Sequence, residues 1–238
     1  ALIEAARILA DHPMPATIQF AFFTGEEAGL LGSREFVRRA VENKVELLGA
    51  LNNDMVGWAN NHKLDDTIRY SNEGIRDIQH AAAFLFTDLI TYDAKYYKST
   101  DAHAYYDAYG DIVGGIGSYP VLSSPHYHQA HDVLEIINQT LVTEVSKTTV
   151  GTIMLMASSP ARLKELQIED RDGEEIQVRW TAAPEKDIAT YHVTYGSDSD
   201  HLKSVSVQDS RVTLSGVKSG MVISVKAVNT RDISAWDW

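Results

Sequence analysis

The sequence predicts an α/β layered unit, a mostly parallel mixed sheet flanked by helices, followed by an all-β sandwich of immunoglobulin-like type. Helical and strand patterns alternate from residue 1 to about 158, which is the signature of a layered sheet. Near "SSPARL" the texture changes, and from residue 162 to 238 short alternating stretches replace helices. The 238 residues suffice for one large domain or two smaller ones.

Taken in order, "ALIEAARILADHP" is helix-forming from its first residue, with Leu2, Ile3, Ala6 and Leu9 as its apolar pattern, and it ends at His12 before Pro13. No Ser, Thr, Asp or Asn cap precedes it. We therefore expect the chain to begin inside an element, with any signal peptide out of view. In "TIQFAFF", Ile18, Phe20 and Phe22 alternate with Gln19, Ala21 and Phe23, so both faces are largely apolar. That pattern predicts a central strand over 17–23, covered on both sides. "SREFVRRAVEN" predicts a helix with Phe36, Val37, Ala40 and Val41 on one face. "VELLGALNND" reads as a second buried strand and "TIRYS" as a shorter one. "GIRDIQHAAAFLFTDLI" is a strong helix, "DIVGGIGS" a glycine-rich strand, and "LVTEVSKTTVGTIMLMAS" a long final helix. Beyond 162 the strand candidates are "KELQIED", "EEIQVRW", "TYHVTYG", "LKSVSVQ", "RVTLSGV" and "MVISVKAVN", separated by turn-like "DRDG", "GSDSD" and "KSG". About seven short strands at this spacing are what an immunoglobulin-like sandwich requires.

Composition excludes several classes of function. A net charge of −12 leaves no basic excess for nucleic acid. No apolar run approaches the roughly 18 residues that span a bilayer. There are no cysteines, so disulfides and thiolate metal sites are excluded and any metal must be held by histidine and carboxylate.

Ligands of open α/β sheets bind beyond the carboxyl ends of the parallel strands. Glu26 and Glu27 of "TGEEAGLLGS" follow the first predicted strand, and Asp54 closes "LLGALNND" after the next. In isolation the glutamates suit a solvated helix start, where acids complement the helix dipole. If the two strands are neighbours, however, three carboxylates share one rim. Like charges so placed raise one another's pKa unless a cation neutralises them. Zinc is the simplest such cation, and without cysteine it needs histidine. Of nine histidines, His12, His62, His80, His192 and His201 fall in predicted loops, on helix faces or in the sandwich. "SSPHYHQAHDVLE" gathers His126, His128 and His131 in one loop, ahead of an apparent capping box at Asp132 and Glu135. Alone, such a loop is commonly just an exposed surface.

In order and spacing, "TGEEAGLLGS", "NNDMVG" and "PHYHQAHD" resemble the co-catalytic zinc aminopeptidases of metallopeptidase family twenty-eight, which includes secreted bacterial leucyl aminopeptidases. The family pattern is a Glu-Glu-x-Gly-Leu-x-Gly-Ser turn, then an Asp about 27 residues on, then Tyr-His-x-x-x-Asp. Here Glu27 and Asp54 are 27 positions apart, and Tyr127, His128 and Asp132 complete the last segment. "KSTDAHAYYDAYGDIVGG" resembles the family's substrate-side loop and following strand. The resemblance covers about residues 1 to 158. It implies two zinc ions, with Glu26 as general base, Glu27 and His128 as ligands to one zinc and Asp54 as a ligand to the other. His126 and His131 match no ligand position; Asp132 reads as a cap or as a partner behind the ligands. The family also requires a His and a bridging Asp upstream of the helix that opens this sequence, so reduced or absent zinc occupancy and no useful hydrolysis are expected of the chain alone. The implied substrate is a peptide with a free amino terminus, with a larger apolar first residue as the family's habit. The implied location is extracellular or the periplasm and cell envelope. A non-catalytic binding or receptor ectodomain is the alternative, although the base Glu26 would then have no use. The glutaminyl cyclase branch of the fold matches "EEAGLLGS" less well. Residues 162–238 resemble a fibronectin type III domain, through Trp180 as core tryptophan and Tyr191, Val193 and Tyr195. Met221 stands where that family usually has tyrosine.

Overall fold

The strand-forming run Asp65–Tyr70 lies at the centre of the first sheet, and all six of its residues are buried. The structure is a computed structural model describing residues 1–60, 63–170 and 175–236. His62 and most of the "DRDG" turn lie outside the described residues. The chain divides into two units, Ala1–Ala157 and Ser158–Trp238.

In the first unit, α1 (Leu2–Ala10) and α2 (Leu31–Glu42) precede β1 (Ala50–Asn53), β2 (Asp65–Tyr70), α3 (Glu73–Phe86), β3 (Ile90–Ala94), α4 (Ala102–Tyr109), β4 (Val113–Ser118) and α5 (Gln139–Ser158). The strand order is β1-β4-β2-β3. The β1–β4 and β2–β3 pairs are parallel and β2–β4 is antiparallel, giving the mixed, mostly parallel sheet that was expected. Ile68 of β2 and Ile116 of β4 are fully buried against Leu141 and Val145 of α5, which makes this the unit's best-packed layer. Gln79 of α3 bonds both the amide and the carbonyl of Gly115, tying that helix to the glycine-rich strand.

Four expectations are corrected. Residues 17–23 form no strand. A strand needs a hydrogen-bonded neighbour, and among the described residues none pairs with this run. The helix expected to run through "TDLI" ends at Phe86, and the strand that follows it is not visible in a sequence that reads as one helical run. The helix stops at Thr87, whose hydroxyl bonds back to the Ala83 carbonyl at 2.6 Å, while the Asp88 amide turns to the Glu144 carboxylate at 3.0 Å. Ile90 then begins β3. The stretch read as a loop around "DAHAYYDAYG" is the helix α4. The capping box at Asp132 and Glu135 does not form. Glu135 lies in a 3-10 turn without a side-chain cap, and Asn138 caps α5 by accepting the Leu141 amide at 3.1 Å.

The second unit is all-β. β5 (Gln167–Asp170), β6 (Glu175–Arg179) and β9 (Arg211–Ser215) form one antiparallel sheet in the order β5-β6-β9. β7 (Ile188–Gly196), β8 (Lys203–Val207) and β10 (Val222–Asn229) form the other, in the order β10-β7-β8. Ile176, Val178, Tyr191, Val193, Leu214, Val225 and Ala227, from both sheets, share one core with Trp180, as a sandwich requires. The Trp180 ring meets Tyr191 edge-on at 5.3 Å. At Met221, the sulfur accepts the Lys218 amide at 3.4 Å. Among the described residues of the whole chain, no helix is long and apolar enough to cross a membrane.

Candidate active site

The glutamate pair sits in a turn that leads directly into α2. The Glu26 carbonyl accepts the amides of both Gly29, at 3.0 Å, and Leu30, at 2.8 Å, while Leu31 and Gly32 bond back to Gly25 and Thr24. Gly29 has φ +103°, a conformation closed to ordinary side chains, so the glycine is what allows the chain to double back here. Glu26 is partly buried, whereas Glu27 is exposed. The two side chains therefore meet different surroundings despite being adjacent.

Asp54 follows β1 at its carboxyl end, where its amide extends the ladder to Ile116 at 3.2 Å. Burial pushes its carboxyl above the ordinary value against the opposing pull of Arg69, with Asp101 and Glu27 adding to the rise. The Glu26 carboxyl is also raised, by burial first and then by Glu27, Asp54 and Asp101, with His128 opposing. Glu26, Glu27 and Asp54 therefore share one electrostatic neighbourhood, although the segment before the glutamates is not a strand.

His128 arrives from the loop after β4, with φ 57° and its ring stacked on that of Tyr127 at 3.8 Å. Its Nε2 lies 2.5 Å from the Glu27 Oε1. These partners are 101 residues apart in the chain, and they are the two that the resemblance assigns to one zinc. His126 is elsewhere: its Nδ1 is buried without a partner among the described residues, its ring meets His131 edge-on at 5.0 Å, and it lines a cavity of about 330 Å³ with Gly57, Trp58 and Asn138. Asp132 lines a second cavity of about 150 Å³ with Met55, Ser118 and Tyr127.

Two charged residues were not singled out from the sequence. Asp101 directly precedes α4 but makes no side-chain cap; its Oδ1 is buried without a partner among the described residues, and its charge acts on Glu26, Asp54 and Tyr105. The available signal was an acid ahead of the helical pattern "AHAYYDAY". With burial as the larger cause, Asp101 helps to push the Tyr105 hydroxyl up to about 12. Arg69, inside β2, is nearly fully buried, and burial pulls its pKa down while Asp54 and Asp66 hold it up. A lone arginine within a buried strand gives no pattern that a sequence can show.

The donor types present, a carboxylate oxygen against an imidazole nitrogen, suit zinc. Glu27 and His128 fit as two of its ligands. Among the described residues, however, no three metal-ligating side chains come together, so the set is partial.

Comparison with known proteins bears on the family and the fold. The profile of Peptidase family M28 matches residues 1–153. A "Probable zinc metalloprotease" of Phaeosphaeria nodorum is 25% identical over 243 residues, covering 81% of this chain and 47% of its own length. A "Probable leucine aminopeptidase 1" of Trichophyton verrucosum is 27% identical over 150 residues, covering 59% of this chain and 40% of its own. The chain thus spans about half the length of the curated relatives it matches, or somewhat less. The crystal structure of the Legionella pneumophila LapA aminopeptidase superposes with a TM-score of 0.51 at 18% identity, over 66% of this chain and 44% of that one, and so shares the fold. With well over half of its residues matched by the family profile, the chain belongs to peptidase family M28.

Proposed function

We propose that the protein is a zinc-dependent aminopeptidase that hydrolyses the first peptide bond of peptides with a free amino terminus. The observation that carries this reading is the contact of Glu27 with His128, with the partly buried Glu26 next in sequence to Glu27. Glu27 and His128 would hold one zinc, and Asp54 would serve a second. When bound, the metal supplies a water acidified to near neutral pH. Glu26 would accept the proton of that water and pass it to the leaving amine, a role suited to a carboxyl whose affinity for protons is raised. The second unit takes no part in the chemistry and acts as a spacer or binding surface. An extracellular or cell-envelope location goes with this reading.

Because two donors meet and Asp54 stands apart, we expect the 238-residue chain by itself to hold zinc weakly and to hydrolyse little. Zinc content and turnover of an aminoacyl-p-nitroanilide test the role assignment in the zinc-loaded protein. Glu26→Gln should retain metal and lose about 100-fold or more in kcat. Glu27→Ala and His128→Ala should lose metal. Full activity of Glu26→Gln would overturn the assignment. A second reading, a non-catalytic binding ectodomain, draws on the absence of a three-donor cluster among the described residues. It would be favoured if the protein neither retains zinc nor turns over any substrate.

A further inference from the structure

Arg69 is 4% exposed, and its Nε, Nη1 and Nη2 are all buried with no hydrogen-bond partner among the described residues. A buried guanidinium without an acceptor is among the costliest arrangements a fold can keep. Its position is specific. A Cβ added at Gly117 would lie 2.3 Å from the Arg69 Cζ and 2.4 Å from the carbonyl oxygen of Asp54, so the guanidinium and the Asp54 backbone share the space over that glycine. The Tyr96 ring centroid is 5.8 Å from Cζ, and the charges and dipoles felt by Arg69 come from Asp54, Asp66, Tyr96 and Tyr127. Tyr127 and Met55, the residues beside His128 and Asp54, line a cavity of about 150 Å³, and Tyr127 is also among the groups whose charge acts on Arg69.

Neither nearby acid consumes the guanidinium. Asp54 makes no hydrogen bond to it, and its carboxyl stays raised despite it. Asp66 accepts the Thr67 amide and, by strand alternation, shares its face with the core residue Ile68 rather than with Arg69. What remains is a planar, fixed fork of donors next to Asp54, and the group that satisfies such a fork two bonds at a time is a carboxylate.

We propose that Arg69 is the receptor for a substrate carboxylate and makes the site selective for peptides with an acidic group at the reacting end. That group is either the side chain of an N-terminal Asp or Glu or the C-terminal carboxylate of a dipeptide. The inference rests on the aminopeptidase reading and departs from the apolar first residue expected from the family resemblance.

The test compares isosteres that differ only in charge. In the zinc-loaded protein, Glu-p-nitroanilide should exceed Gln-p-nitroanilide in kcat/KM by about tenfold or more if the side chain is read. Leu-Gly should exceed leucyl-glycinamide similarly if the terminal carboxylate is read. In Arg69→Met, whichever ratio is large should collapse toward one. Its thermal midpoint should rise by a few degrees, because an unpaired buried charge is gone; the wild-type ratios decide the matter even if that variant fails to fold. Isothermal titration of the metal-free chain with L-glutamate against L-glutamine, and with Leu-Gly against its amide, provides a readout without turnover. Equal rates and equal binding within both pairs overturn the proposal. Selective binding without hydrolysis of any substrate supports Arg69 as receptor and counts against the aminopeptidase reading alone.

Discussion

At the scale of single residues, the first unit keeps several ionisable groups in places where burial, not pairing, sets their chemistry. Asp66 shows this most directly. Burial raises its carboxyl from 3.8 to about 8, against the opposing pull of the Thr67 amide and of Arg69. Its folded pKa lies above its unfolded one, so over this range the native state holds a proton that the unfolded chain has released. The stability tied to that proton is complete below about pH 4 and is lost as pH rises through about 8. Thermal midpoints measured from pH 4 to 9 should therefore fall with pH in the wild type and fall less in Asp66→Asn; parallel curves would refute the account. Glu26, Glu27, Asp54 and His128 could be singled out in the sequence because they belong to short patterns whose spacing is preserved. Asp101, Arg69 and Asp66 could not, because their significance comes from what folds over them: Asp66 stands second in the strand-forming "DDTIRY" and looks like a solvated acid until β4 and α5 cover it.

At the scale of elements, the start of α5 shows how one side chain links a helix to the site. Asn138 accepts the Leu141 amide through its side chain, while its own amide bonds the Gly57 carbonyl in the segment after Asp54. Asn138→Ala should cost about 1 kcal/mol, as loss of an N-cap does. A urea titration followed by circular dichroism would measure it, and a change below about 0.3 kcal/mol would show the cap to be redundant. Long, strongly periodic elements were readable: α2, α3 and α5 lie where the apolar spacing put them, within a few residues. Part of the buried face of α5 is nevertheless polar. Thr148, Thr149 and Thr152 are buried there because each hydroxyl returns a hydrogen bond to the carbonyl four residues back. The elements that were missed are those whose signal is carried by a neighbour. β3 follows a helical run broken only by Thr87 and Asp88, and it is a strand because β2 offers it a parallel edge. Within α4, only Ala102 and Ala104 are buried, a face too slight to register as amphipathic.

At the scale of the whole molecule, the division into an α/β unit and an all-β unit was legible because the texture of the chain changes where the fold does. Pairing at the sheet edge was not. β1 bonds β4 on one side, and among the described residues no strand pairs with its other side. Among the described residues, the apolar run expected to be a central strand has no ladder partners, and Phe22 is 65% exposed. An open strand edge, in a chain that also exposes apolar side chains such as Phe22, invites pairing with another copy. Light scattering should show the isolated chain associating as its concentration rises, and Phe22→Glu should weaken that association; a strictly monomeric wild type at high concentration would exclude it. Local amide pattern alone cannot distinguish a strand from a strand-like segment still lacking its neighbour, which is why residues 17–23 were misread. The same run has a consequence for degradation. A protease must draw its substrate out straight, and here several phenylalanines already lie on backbone free of ladder bonds. Chymotrypsin should therefore nick the chain first between α1 and the glutamate turn, cutting where the sequence pattern promised the most protected strand.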